Sequence, residues 1–500
     1  MNPIGNARMT KAGLIGWLLL LLAACAAPAA EMPAARPPAS APSQAAPIPS
    51  TIPPTPALPP QSPMVIVGWD DELGSVIRAV DPATGQDVPG RAPVALGADR
   101  DAAYAAPLAV APDGRRLAAF DARGDTCYDF AGGSACGPRS EVLVLLDTTT
   151  WQHRTIPLGA FGWVGTPLFD GGGRRLAFSL QTAEGHSLML LDAATGETVA
   201  QTTLNLKSSY VGFGPEGTVV VYGQPETEQP GKTRPGAPRV QLRDGATLAV
   251  LWQTTLDGLT SGHWCSDQCD AGHGTLVTEM WWPGVALSAD GRTLVILHAD
   301  EERLTTVDLV ARTTASRAVG GRQTRLGRLL TWLLDATAGV AQAKGPMNGL
   351  TRQVLLSPDG ARLFTIGTRL ETEIGENGNY SVTETRLPLQ LIDVATGAVV
   401  AESKVTGHTL RLSADGQRVF VAEWGVRWPV TRVLDAATLA PLAELDGPTV
   451  RLAPDATGQL RLVGEQYVNG GTTLSLLDPE SLATLAEWRA DGQTQWAALR

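Results

Sequence analysis

Residues 354–366 read Val-Leu-Leu-Ser-Pro-Asp-Gly-Ala-Arg-Leu-Phe-Thr-Ile, and residues 387–400 read Leu-Pro-Leu-Gln-Leu-Ile-Asp-Val-Ala-Thr-Gly-Ala-Val-Val. The first apolar run stops at Asp359-Gly360, a pair suited to the positive φ of a tight hairpin turn. A second run, Leu363–Ile366, follows at once. A third, Leu387–Ile392, stops at Asp393, and Ala395-Thr396-Gly397 turns the chain into a fourth, Ala398–Ala401. Four short strands joined by turns make one antiparallel sheet of consecutive strands.

The same unit recurs along most of the chain. The first copy has Met64–Trp69, Ser75–Val80 and the turn Asp81–Gly85, but lacks an opening strand. The second runs Pro107–Val110, Arg116–Phe120 and Glu141–Asp147. The third carries Arg175–Ser179 and Ser187–Asp192, and the fourth Thr218–Tyr222 and Arg239–Asp244. The fifth holds Val285–Ser288, Thr293–His298 and Leu304–Asp308. The stretch quoted above is the sixth, Leu410–Asp435 the seventh and Thr449–Asp478 the eighth. The apolar end, Gln495–Leu499, has no partner of its own and supplies what the first copy lacks. The expected fold is therefore all-β: a single β-propeller of eight four-stranded blades over residues 64–500, closed by the C-terminal strand, with seven blades as the alternative. Closure removes the free edges that invite aggregation.

Composition agrees with a turn-dense β chain. There are 54 Gly and 36 Pro, and charged residues reach only 18%, below the usual ~25%. The net charge is −11 with five lysines, which argues against nucleic acid as a partner.

The repeats resemble bacterial propeller repeats of the YVTN and lactonase-like type, relatives of WD-repeat propellers. The residues carrying this are the turns Ser288–Gly291, Ser357–Gly360 and Ser413–Gly416, and the Asp-x-x-Thr-Gly turns at Asp81, Asp192 and Asp393. The resemblance implies a fold more than an activity. The Gly-His and Trp-Asp marks of true WD repeats are nearly absent, Gly407-His408 excepted. Quinoprotein dehydrogenases share the Asp-x-x-Thr-Gly turn with a tryptophan soon after. Only Trp252 and Trp488 come close, so no quinone and no other cofactor is expected.

The N-terminus reads as an export segment. Arg8 and Lys11 precede the apolar Leu14–Ala24, and Leu22-Ala23-Ala24-Cys25 resembles a bacterial lipoprotein signal, in which Cys25 receives the lipid. Cleavage at an Ala-x-Ala site and an uncleaved anchor are the alternatives. Residues 26–63, rich in Pro, Ala and Ser, form an extended tether of up to roughly 100 Å. The expected location is the cell envelope, with the chain a monomer.

Strand alternation places the short Asp-Gly and Thr-Gly turns on one face. The long insertions (Asp121–Ser140, Gln224–Pro238, Leu259–Gly284, Arg322–Thr351 and Arg369–Arg386) fall on the other, where binding is expected. Cys127 and Cys136 lie in the first insertion and Cys265 and Cys269 in the third. Far-separated blades cannot bring Cα atoms within ~7 Å, so the expected disulfides are Cys127–Cys136 and Cys265–Cys269. A zinc site of His263, Cys265, Cys269 and His273 is the alternative, with nonstandard spacing. Trp264, Trp281 and Trp282 offer aromatic faces to a sugar or apolar peptide, or else plug the insertion onto the blade edges. Asp70–Glu72, Asp300-Glu301-Glu302 and Glu371/Glu373/Glu376 are acidic clusters, either solvated or a cation site. Arg325–Lys344 carries leucines at helical spacing, giving the one helical insertion. It is a lid over that face, or a docking helix.

The sequence carries no nucleophile elbow, phosphate loop, His-Glu-x-x-His or paired-carboxylate motif, and none of its six histidines has a readable nucleophile partner. Two functions follow. One is a lipid-anchored binding or scaffold module presenting the insertion face to an envelope protein, peptide or glycan. The other is a hydrolase or lactonase-like enzyme working in the central channel, with His263 and His298 as candidates.

Overall fold

The computed structural model describes residues 64–496 except 71–73, 82–83, 85, 98–107, 122–124, 131–132, 183–184, 226–233, 235, 266–277, 300–301, 321–346, 375–379, 414, 425–428, 447–448, 455–459, 469–470, 479–480 and 492–494. The export segment with Cys25, the tether, the Arg325–Lys344 helix and residues 497–500 lie outside them. Among the described residues the chain is all β; its one helical turn is the 3-10 turn Pro215–Gly217.

Strands pair with their sequence neighbours in antiparallel order. Thr409–Leu412, Arg418–Trp424, Pro429–Asp435 and Pro441–Asp446 make one four-stranded sheet, and Thr449–Pro454 through Thr484–Asp491 another. The sheets from Leu206–Phe213 to Val250–Thr255 and from Gly284–Leu287 to Thr313–Ala318 repeat the pattern. A series of four-stranded meanders is the blade architecture of β-propellers. In the first sheet Met64–Asp70 pairs with Gly74–Val80 on one side and with Gln495–Trp496 on the other, Ile66 opposite Trp496 and Val67 opposite Gln495. Gln495–Trp496 is the described part of the expected strand Gln495–Leu499.

The second and third units differ from expectation. His153–Val164 is 12 residues long. Its start closes the second unit against Gly133–Asp147, and its end (Trp163, Val164) pairs with Gln181 and Leu180 of the third. One strand serves both units, merging them into a nine-stranded sheet.

Packing follows sequence order. Every strand alternates its side chains between two faces, so each sheet faces one neighbour with odd positions and the other with even ones. Phe364 and Ile366 pack with Val419, Val421 and Leu434 of the next sheet. Leu363 and Ile392 pack with Val295, Leu297 and Leu304 of the previous one. Eight such apolar clusters occur among the described residues. One of them sets Met64 and Val80 of the first sheet against Val463, Leu474 and Leu476 of the last. Each fully buried Leu, Val or Phe contributes about 1.5–3 kcal/mol.

The turns explain the repeat. In the quoted stretch Gly360 has φ +70 and donates its N–H to the Ser357 carbonyl at 2.8 Å. Gly397 has φ +76 and bonds back to the Asp393 carbonyl at 2.8 Å. The Asp393 carboxylate accepts from the Thr396 N–H and hydroxyl at 2.9 and 2.7 Å. Asp244 and Asp435 build the same turn, but their fifth residues are Leu248 and Leu439, at φ 57 and 58. The left-handed conformation costs a leucine about 1–2 kcal/mol. Both side chains are buried, at 0% and 3% exposure, and burial offsets that strain.

These turn carboxylates titrate below their ordinary range. The Thr hydroxyl and N–H lower Asp244, Asp393 and Asp435. Ser288, Ser357 and Ser413 do the same for Asp290, Asp359 and Asp415. A depressed folded-state pKa contributes stability that is complete above the unfolded value of about 3.9 and lost as pH falls through the folded one. The melting temperature is therefore expected to be flat from about pH 5 to 7 with respect to these groups, and to fall below about pH 4. Thermal melts across that range check it, and Asp393→Asn with Asp435→Asn should shallow the acid limb.

Candidate functional site

Among the described residues, three of the insertions add strands to the sheets that bear them. Within Asp121–Ser140, Asp125–Phe130 pairs with Gly133–Asp147 as a hairpin, with Cys127 opposite Cys136. Arg369–Arg386 continues the hairpin of Arg362–Ile374 and Tyr380–Asp393, whose register runs unbroken from Gly367/Leu387 out to Ile374/Tyr380. Thr368, Leu370, Thr372 and Ile374 alternate with Arg369, Glu371 and Glu373, and on the second strand Thr383 and Thr385 alternate with Val382, Glu384 and Arg386. Such β-branched alternation suits a pleated, half-exposed surface.

The third insertion adds two strands to the sixth sheet. Gly262–Cys265 pairs antiparallel with Thr278–Trp282, which pairs parallel with Met347–Leu356, Thr278 opposite Met347 and Trp282 opposite Thr351. Parallel pairing is possible because the chain passes through the whole fifth sheet before returning. Gly349, at φ +142, lets the strands approach: a Cβ there would overlap the Met280 carbonyl. Glu279 and Asn348 tie three strands together. Glu279 accepts from Trp281 Nε1 at 3.0 Å and from Asn348 Nδ2 at 3.3 Å. Asn348 Oδ1 accepts the Thr372 N–H at 2.7 Å.

The tryptophans divide. Trp264 is 7% exposed, with the Arg234 guanidinium 5.7 Å from its ring centroid. Beneath it Arg234 donates to Thr260 Oγ1, and Ser261 Oγ donates to Gln224 Oε1 at 3.1 Å. Trp264 is thus a plug. Trp281 and Trp282 are half-buried. Tyr380, 42% exposed, ends the neighbouring hairpin.

One chain of ion pairs runs along this side. Arg386 bonds Glu384 at 3.2 Å and Glu423 at 3.0 Å, and Arg432 bonds Glu423 at 2.7 Å and Glu444 at 3.3 Å. This chain joins the sixth and seventh sheets. Burial pushes the Glu423 carboxyl up, but the bonds and charge of Arg432, with Thr406 and Arg386, outweigh it and hold it below the usual range. Half-exposed pairs each contribute at most about 1 kcal/mol; the network fixes the geometry of the hairpin bases. Burial, then Arg386, lowers His408 beside it.

The other expected site residues are described only in part. His263 lies opposite Met280, and Cys265 opposite Thr278. Cys269, His273, Asp300 and Glu301 lie outside the described residues, and Glu302 is exposed. His298 is enclosed within the fifth unit, 1% exposed, with Nε2 2.9 Å from Thr305 Oγ1. Burial first, then Arg303, pushes its pKa down to about 4, so it is neutral at neutral pH. Among the described residues no three His, Cys, Asp or Glu side chains gather where a metal ion would sit. Sequence reading missed Arg352, on the inner strand of the sixth sheet beneath this face. Burial pushes its guanidinium down to about 10, against Glu302 and assisted by Arg369.

No family model and no curated protein matches the chain in sequence. Solved structures resemble it in fold. The dihydro-heme d1 dehydrogenase NirN in complex with DHE is 14% identical, with a TM-score of 0.49 over 89% of this chain and 78% of that one. Apo AztD from Citrobacter koseri is 13% identical, with a TM-score of 0.49 over 87% and 96%. The Cps50 (Swd1) beta-propeller domain from Myceliophteria thermophila is 13% identical, with a TM-score of 0.38 over 74% and 94%. None of these likenesses carries a role to this chain.

Proposed function

We propose that this protein is a lipid-anchored, extracytoplasmic β-propeller of eight blades that binds an envelope protein, peptide or glycan through its strand-built face. One observation carries the binding reading. The third insertion is grafted onto the inner strand of the sixth sheet, giving six strands, with Trp281 and Trp282 half-buried on the added pair. A stiff, hydrogen-bonded platform carrying half-buried aromatic side chains loses little entropy on binding. Eight apolar clusters between successive units, one of them joining the final unit to the first, support the eight-bladed closed ring. The register of Cys127 with Cys136 supports a cross-strand disulfide in the first insertion, as directly opposed residues have Cα atoms about 4.5–5.5 Å apart.

The anchor rests on Leu22–Cys25 and the tether that follows. Mass spectrometry of the mature protein is expected to find an N-terminal, acylated Cys25; an unmodified Cys25 contradicts it. The binding claim is tested by where a partner cross-links in the native envelope: on the strand-built face, and not on the face of short turns.

A further inference from the structure

A second site lies away from the insertions, at the rim between the third and fourth sheets. The outer strand Thr198–Leu204 of the third sheet and the outer pair Arg239–Arg243 and Val250–Thr255 of the fourth enclose an open cleft of about 660 Å³. That is within the range of small-ligand sites, about 300–1,000 Å³. Its wall includes Gln201, Thr203, Asn205, Gln241, Arg243 and Gln253, with no carboxylate in the lining.

Arg243 is the unusual member. It is 4% exposed and makes no ion pair among the described residues. Its Nε and Nη2 donate to Gln241 Oε1 at 3.0 and 2.7 Å, and Nη1 donates to the Leu248 carbonyl at 2.8 Å. A guanidinium has five N–H groups; three are used, and one remains on each Nη. Burial alone lowers its pKa, with no acid acting against it. A buried cation without a counter-ion is costly, and the fold spends two amides to hold this one. Gln241 Nε2 donates to Asn205 Oδ1 at 3.4 Å and Gln253 Oε1 at 3.2 Å. Those two acceptors are thereby turned to Gln241, and the amino groups of Asn205 and Gln253 are left as donors.

The cleft is thus rich in donors and free of acid, on a chain of net charge −11. Bulk charge would repel an anion; this site is built to take one. Arginine suits a carboxylate through paired N–H bonds, and the amides and threonines suit hydroxyl groups. Val250 adds an apolar edge, 47% exposed. We infer that the Arg243 cleft binds a carboxylate-bearing saccharide, its acid group on the guanidinium and its hydroxyls on Asn205, Gln253 and Gln201.

Calorimetric titration of the full chain with trigalacturonic acid, maltotriose and inorganic phosphate tests this. Trigalacturonic acid is expected to bind, with maltotriose and phosphate each at least about tenfold weaker, since one well-placed charged pair is worth about that factor. Arg243→Lys should lose at least about tenfold. Asn205→Ala and Gln253→Ala are exposed changes that leave folding intact, and each should lose severalfold, which keeps the test decisive if Arg243→Lys fails to fold. Equal binding of maltotriose, phosphate as tight as the trisaccharide, no binding at all, or unchanged affinity in the exposed variants would each overturn the inference.

Discussion

A chain ending at residue 493 is expected to melt on the order of 5–10 °C below the full-length protein and to self-associate. Met64–Asp70 is paired along its whole length with Gly74–Val80, and on its other edge Ile66 and Val67 pair with Trp496 and Gln495. Removing that strand leaves an open edge with unpaired N–H and C=O groups, a template for another chain. It also loosens the junction where Met64 and Val80 meet Val463, Leu474 and Leu476. Exposing two or three of those side chains costs about 5 kcal/mol. For a chain of this size each kcal/mol moves the melting temperature by roughly 1–2 °C, at or below the range for 150–250 residues. Differential scanning calorimetry with gel filtration reads both effects. An unchanged melt with a monomeric profile would show that the ends do not hold the molecule closed.

Gly349→Ala is expected to detach the insertion hairpin while sparing the blades. The φ of +142 at Gly349 is one that L side chains rarely adopt, and a Cβ would collide with the Met280 carbonyl. Backbone cannot give way as a flexible side chain can. Relief requires the Thr278–Trp282 strand to move off Met347–Thr351, breaking the parallel pairs and the Glu279–Asn348 tie. The core half of the same strand, Val354 to Leu356, pairs with Leu363–Thr365 and is untouched. Hydrogen exchange at residues 278–282 should rise at least about tenfold, with the global melt shifted by only a few degrees. Protection equal to wild type would mean the hairpin does not depend on that pairing.

Much of the scaffold was legible because the turns repeat a chemical device. Asp359-Gly360 and Thr396-Gly397 each need a residue at positive φ, and glycine announces it. Where Leu248, Arg312, Leu439 and Leu482 occupy the same conformation, the turn is invisible to that rule. Its cost is met by tertiary burial or by the Asp cap alone. Only the leading aspartates, Asp244, Asp308, Asp435 and Asp478, betray the turns, each with a backbone N–H on its carboxylate.

The site was harder to read. Residues 369–386 look like a charged loop because Arg369, Glu371, Glu373, Glu376, Glu384 and Arg386 are spread through them; the alternate Thr, Leu, Val and Ile that pair the strands are each weak signals. The parallel union of Thr278–Trp282 with Met347–Thr351 joins segments far apart in the chain, and no local pattern encodes such a match. Trp264 and Trp282 look alike in sequence, yet one is a plug beside Arg234 and the other is half-buried. Arg243 gives no sign at all: its isolation from acids is a property of the packed sheets.

The most direct test of the binding face places a photo-cross-linking amino acid at Tyr380 or at Ala395. Both are exposed, and they sit toward opposite ends of the same sheet. The variants are expressed with the native tether and cross-linked in the envelope. A discrete adduct from position 380 and none from position 395 is the predicted result. Adducts from position 395 alone, or none from either position, would contradict the account.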